Sequence, residues 1–168
     1  MLTIQCTKKL ADLLKIVPGP KPSEEQDPLY TWHSHVFIIQ RKKYVIVMNN
    51  KSRYNFVLGP LKKKELDRLD MLIREGIEEN LLADKLDTDL VEQYLAHCGA
   101  DIVYTKTSER AIISQMNEAI LIIKHIQNSE DAKGIPDLNR FMNHFVMLKL
   151  PLTYSRETMI AELESRYT

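Results

Sequence analysis

Apolar residues in this chain recur with two different periods, and the switches between them mark out its elements. Leu2 to Cys6 alternates apolar and polar residues and predicts a strand. Leu10, Leu13 and Leu14 then form a helical stripe that Thr7 can cap, and Val17-Pro18-Gly19-Pro20 ends it. Residues 18–29 hold four of the seven prolines and predict a loop. The main sheet begins between Trp32 and Gln40. His35–Ile39 predicts a strand, Arg41-Lys42-Lys43 a turn, and Tyr44–Met48 the returning strand. Asn49-Asn50-Lys51-Ser52 predicts the next turn and Tyr54 to Leu58 a third strand. Short turns between β-rich runs mean an antiparallel meander, and near-continuous apolar runs predict cover on both faces.

Beyond the meander the period becomes helical. Gly59-Pro60 is expected to break the sheet and open a long helix from Leu61 to Leu82, with Leu66, Leu69, Leu72, Ile73, Ile77 and Leu81 facing the core. A helix over Thr88 to His97 follows, stopped by Gly99. From Asp101 to Gln127 the chain reads as a strand (Ile102-Val103-Tyr104), a lysine-bearing turn and the most apolar helix, capped by Thr107 or Ser108. Met116, Ala119, Ile120, Ile123 and Ile126 make its buried face, widened by Ile112 and Ile113, while Arg110, Ser114 and Asn117 form one polar row beside it. Asn128 to Pro136 predicts a loop, and Asp137 to Leu148 fits helix and strand equally. Thr153 to Arg166 predicts a last helix with Ser155 as its cap. The sum is a single α+β domain over residues 1–168. It has a mainly antiparallel sheet of about four to five strands packed with several helices.

Composition narrows the class. An apolar fraction of 44% and a charged fraction of 27% are those of a globular domain. No run of about 18 apolar residues is present, so no membrane partner is expected. Lys8, Lys9, Asp12 and Lys15 interrupt any signal-like apolar run, and Cys6 and Cys98 make no disulfide framework. The expected location is cytoplasmic. Net charge is zero but unevenly spread. Residues 1–64 hold 12 Lys/Arg against 4 Asp/Glu, and residues 65–168 hold 11 against 19. Such asymmetry suits an acidic or phosphate-bearing partner, unless basic strands simply face acidic helices within the fold.

Candidate chemistry is sparse. His33 and His35 share one side of a strand, and His97-Cys98, His125 and His144 lie elsewhere, but none has a ligand spacing, so no metal or cofactor is expected. No GxSxG elbow, P-loop or GxGxxG occurs. What remains is basic and amide-rich: Thr7, Lys8, Asn49, Lys51, Lys106, Arg110 and Asn117, with Asn139 and Arg140. These fall mostly at strand ends and helix starts, where free N–H groups favour anions. Trp32 or Tyr104 offers a ring on which a base stacks.

Leu2-x-Ile4-x-Cys6-Thr7-Lys8-Lys9-Leu10, Trp32 before the first sheet strand, Asn49 after the second, and Lys106-Thr107-x-x-Arg110 leading to Met116-Asn117 resemble an uncharacterised family of small bacterial proteins known only as a domain of unknown function. The resemblance spans nearly the whole chain. It implies a single-domain bacterial protein and brings no established activity.

The expected function is a binding or regulatory module that recognises a phosphate, nucleotide or nucleic-acid ligand, or an acidic partner. Lys8, Trp32, Asn49, Lys106, Arg110 and Asn117 are its candidate ligand residues. The alternative is a nucleotide- or phosphodiester-acting enzyme, with Lys106 and Arg110 stabilising charge and His33 or His35 as acid or base. A third reading is a protein-interaction subunit of a toxin–antitoxin or phage-conflict system, docking a basic partner through the acidic helices from Glu75 to Asp89.

Overall fold

Strand β1 (Leu2–Cys6) lies inside the sheet, and everything else is arranged on either side of it. The computed structural model describes residues 1–107, 109–144 and 154–168. After β1 come helix α1 (Lys8–Leu14), strands β2 (Thr31–Ile39), β3 (Lys42–Asn49) and β4 (Asn55–Leu61), then helices α2 (Lys63–Leu66), α3 (Leu69–Ala83) and α4 (Thr88–Cys98). Strand β5 (Ile102–Lys106) and helices α5 (Arg110–Gln127), α6 (Ile135–Met142) and α7 (Ser155–Tyr167) complete the described chain. The spatial order of strands is β4-β3-β2-β1-β5.

The β2–β3–β4 meander is antiparallel, as its short turns require. The sheet as a whole is mixed, because β1 pairs parallel with both β2 and β5. Parallel pairing needs a long crossover, and the chain between β1 and β2, which carries α1, supplies it. Side chains alternate across the sheet. Leu2, Ile4, Cys6, Trp32, Val36, Val45, Val47 and Phe56 join one core with residues of α1, α2, α3, α4 and α7. Phe37, Ile39, Ile46, Met48 and Val57 join a second core with α5 and α6. Both faces of the sheet are therefore covered.

Three boundaries differ from expectation. Gly59-Pro60 does not break the sheet: β4 continues to Leu61 through a cis peptide bond. Proline is tolerated there because β4 is an edge strand with no outer ladder to donate to. Gly59, at φ 144°, lies against the Tyr44 ring, where a Cβ would come within 2.5 Å of Tyr44 Cδ1. The expected long helix is accordingly two, α2 and α3, with Asp67 and Arg68 between them. Glu109 occupies the cap position of α5 with no side-chain cap bond, Thr107 is not the cap, and Ser108 lies outside the described residues. Tyr154, not Ser155, occupies the cap position of α7, and the buried Ser155 hydroxyl donates to Asn143 Oδ1 at 3.0 Å. Of the ambiguous 137–148 stretch, the part through Met142 is helix and residues 145–148 lie outside the described residues.

Both sheet edges are covered. Gly19 bridges to Thr105 on the outer side of β5, with its N–H donating to the Tyr104 carbonyl at 2.9 Å. The chain then passes to the opposite face, where the Gln26 amide donates to Thr3 Oγ1. On the other edge, Asn139 of α6 and Asn143 at its C-cap, one helical turn apart, replace a strand. Asn139 accepts from Val57 N–H at 2.7 Å and donates to its carbonyl at 3.2 Å. Asn143 does the same to Asn55, at 2.9 and 2.7 Å.

Candidate functional site

Cys6 and Lys106 are register partners at the carboxyl ends of the parallel strands β1 and β5. From those ends the chain leaves in opposite directions. Thr7 turns into α1, whose Leu10 and Ala11 pack on one face of the sheet, whereas β5 leads to α5 on the other. Such a divergence opens a crevice beyond the strand ends, the usual ligand position in open sheets with parallel strands. A cleft of about 470 Å³ lies there, lined by Cys6, Lys8, Ala11, Asp12, Ile16, Val17, Pro18, Lys106 and Thr107. The cleft therefore brings together two of the expected ligand residues, Lys8 and Lys106, 98 positions apart in sequence. Both side chains are exposed. Thr107 Oγ1 is buried and has no hydrogen-bond partner among the described residues. Burial pushes the Cys6 thiol above its ordinary value, so the floor of the cleft is neutral.

The other expected residues fall elsewhere. Arg110 and Asn117 are exposed on α5, and Asn117 lies about 10.5 Å further along the helix, away from the strand ends. Trp32 is fully buried and offers no face for stacking: its indole donates to the Tyr94 hydroxyl at 3.0 Å and meets Phe56 edge-on. Burying a ring of that size is worth more to the core than to a surface. Asn49 is also fully buried. Its Oδ1 accepts from Lys51 N–H, Ser52 N–H and Ser52 Oγ, and its Nδ2 donates to the Leu29 carbonyl at 2.9 Å. That set of bonds builds the β3–β4 turn and leaves no free group for a ligand. Tyr104 is half-buried beside Leu14, Ile16 and Leu69, outside the lysine cleft.

A second polar group of residues lies on the opposite face and was largely missed in the sequence. Gln5 Nε2 donates to the Lys106 carbonyl, and Gln5 Oε1 accepts from Asn50 Nδ2 at 2.8 Å. Asn50 Oδ1 then faces His33 Nδ1 at 2.7 Å. Because the carbonyl at the head of this chain can only accept, every amide orientation follows from it, and His33 must carry its proton on Nδ1. His33 Nε2 is left as a buried lone pair without a partner among the described residues. Desolvation holds this imidazole below the ordinary histidine range, against its hydrogen bond to Asn50 Oδ1 and the Glu109 carboxylate. His35 shares this face and meets Thr7 Oγ1 at 2.6 Å; burial lowers it too. A polar cleft of about 380 Å³ opens beside the group, lined by Gln5, Thr31, Asn50, Glu109 and the 21–28 loop. The signals in the sequence were His33 and His35 on one side of a strand and the polar positions of the alternating strand that carries Gln5. Among the described residues, no group of three or more His, Cys, Asp or Glu side chains is placed to hold a metal ion. None of the described helices is long and apolar enough to cross a membrane.

A family model described as Domain of unknown function (DUF6933) matches residues 3–157. The chain belongs to this family. The matched segment contains the whole sheet apart from Leu2, and with it both lysines of the cleft and the His33 group. No curated protein matches the chain.

Proposed function

We propose that this family member is a non-enzymatic binding module that takes an anionic ligand between Lys8 and Lys106. The observation that carries the reading is the convergence of these two exposed lysines in one cleft beyond the carboxyl ends of β1 and β5. The cleft is within the size range of small-molecule sites, roughly 300–1,000 Å³. The histidines that would serve as acid or base belong to the other face of the sheet, which supports binding in preference to turnover in this cleft.

The test is a thermal-shift titration with inorganic phosphate, AMP, acetate and a short single-stranded DNA. A ligand at 100 times its Kd adds roughly 2.7 kcal/mol of stability. Stabilisation by at least one anion, lost in the Lys8→Ala/Lys106→Ala double variant, is the expected result. A shift that survives in the double variant places the anion elsewhere and overturns the reading.

A further inference from the structure

The lysine cleft is cationic only at its rim. Ala11, Ile16, Val17, Pro18 and the neutral Cys6 line it, and among the described residues no aromatic ring does. Val17 stands 95% exposed, an apolar side chain presented to solvent. A nucleotide is poorly matched here, because no described residue of the cleft is placed to stack on a base. Charge counts against a polyanion as well: Asp12 lines the same cleft, so Lys8, Lys106 and Asp12 together leave one net positive charge. A single carboxylate balances that charge, whereas a di- or triphosphate brings negative charge up against Asp12. The buried hydroxyl of Thr107 beside Lys106, unpartnered among the described residues, is a donor of the right kind for one carboxylate oxygen.

We infer that the ligand of this cleft is a monoanionic aliphatic carboxylate. Its head group lies between Lys8 and Lys106, and its hydrocarbon body covers Ala11, Ile16, Val17 and Pro18. This rests on the anion-binding reading above and narrows it to one chemical class. The hydrocarbon contributes through area removed from water, so affinity depends on chain length in a way that a purely electrostatic site does not reproduce.

The experiment is a calorimetric titration of the full chain with butanoate, hexanoate and octanoate, and with AMP and inorganic phosphate for comparison. Each buried methylene is expected to tighten binding about three- to fourfold, with octanoate at least tenfold tighter than AMP. Lys106→Ala is expected to weaken every alkanoate by a similar factor, because it removes the head-group contact. Val17→Asp is expected to weaken octanoate most and butanoate least, and so to flatten the chain-length series. Both positions are exposed, so the melting temperatures of the variants check that the fold is intact. Equal affinity along the series, with AMP or phosphate binding tighter in a Lys106-dependent way, overturns the aliphatic class and leaves the anion site standing. Octanoate binding that is indifferent to Lys106→Ala and Val17→Asp overturns it as non-specific uptake. No binding of any anion overturns both readings together.

Discussion

At the scale of single residues, equal polarity in the sequence concealed opposite roles. Lys106 and Asn49 both follow strands and both looked like ligand groups, yet one is exposed and the other has every polar atom engaged. What separates them is local geometry: Asn49 turns inward to close a tight turn, whereas Lys106 faces out at a strand end. His33 gives a prediction at this scale. Its folded-state affinity for protons is depressed by burial, while in the unfolded chain it titrates near 6.5. The unfolded state therefore binds more protons below that pH, so stability is full above about pH 6.5 and falls as pH drops below it. The contribution of one histidine is at most about 1.4 kcal/mol per pH unit. Urea melts at pH 7.5 and 5.5 are expected to show this loss, and His33→Gln to reduce it. An unchanged pH slope in His33→Gln would show that His33 is not the group responsible.

Among the elements, the most informative is α6. Its Asn139 and Asn143 pair with alternate residues of β4 and close that edge without a sixth strand. Unpaired edges invite association between chains, and covering one with a helix is among the ways proteins avoid it. Asn143→Ala strips partners from Asn55 N–H and C=O in a buried setting and is expected to cost about 3 kcal/mol, read as a lower denaturation midpoint. The same change is expected to promote self-association, visible by light scattering. A variant as stable as the parent would mean that water or backbone movement replaces the asparagine. Nothing in the sequence distinguished these asparagines from ordinary helix-surface residues, since their partners are 82 and 88 positions away.

For the whole molecule, ion pairs among the described residues cancel little of the charge asymmetry. Among the described residues, the one ion pair joining a cation of residues 1–64 to an acid of residues 65–168 is the local Lys63–Asp67 pair. The acidic stretch is divided: Glu75, Glu78 and Glu79 are exposed on α3, but Asp84 is buried and pairs with Arg140 Nε at 2.9 Å. Tyr54 donates to the same carboxylate, and Arg156 donates to the Asp84 backbone carbonyl at 2.7 Å, so α3, α6, α7 and the β3–β4 turn meet at one residue. Arg140→Ala leaves that carboxylate buried without its cation and is expected to destabilise by about 3 kcal/mol. Adding Asp84→Asn to Arg140→Ala is expected to restore part of the loss. If the double variant is less stable than the single one by the full cost of Asp84→Asn alone, the two residues are not coupled.

The sequence by itself determined the periods: the antiparallel meander, the buried faces of α3 and α5, the stop at Gly99 and the α+β class all follow from local spacing and turn chemistry. Membership of an uncharacterised family of unknown function was legible too. Tertiary structure alone decided the rest. It paired β1 in parallel with β2 and β5, sent Trp32 and Asn49 inward, and chained Gln5, Asn50 and His33 together. It also set Lys8 beside Lys106. These are contacts between residues far apart in the chain, and their free energy comes from burial and pairing that no local window of sequence contains.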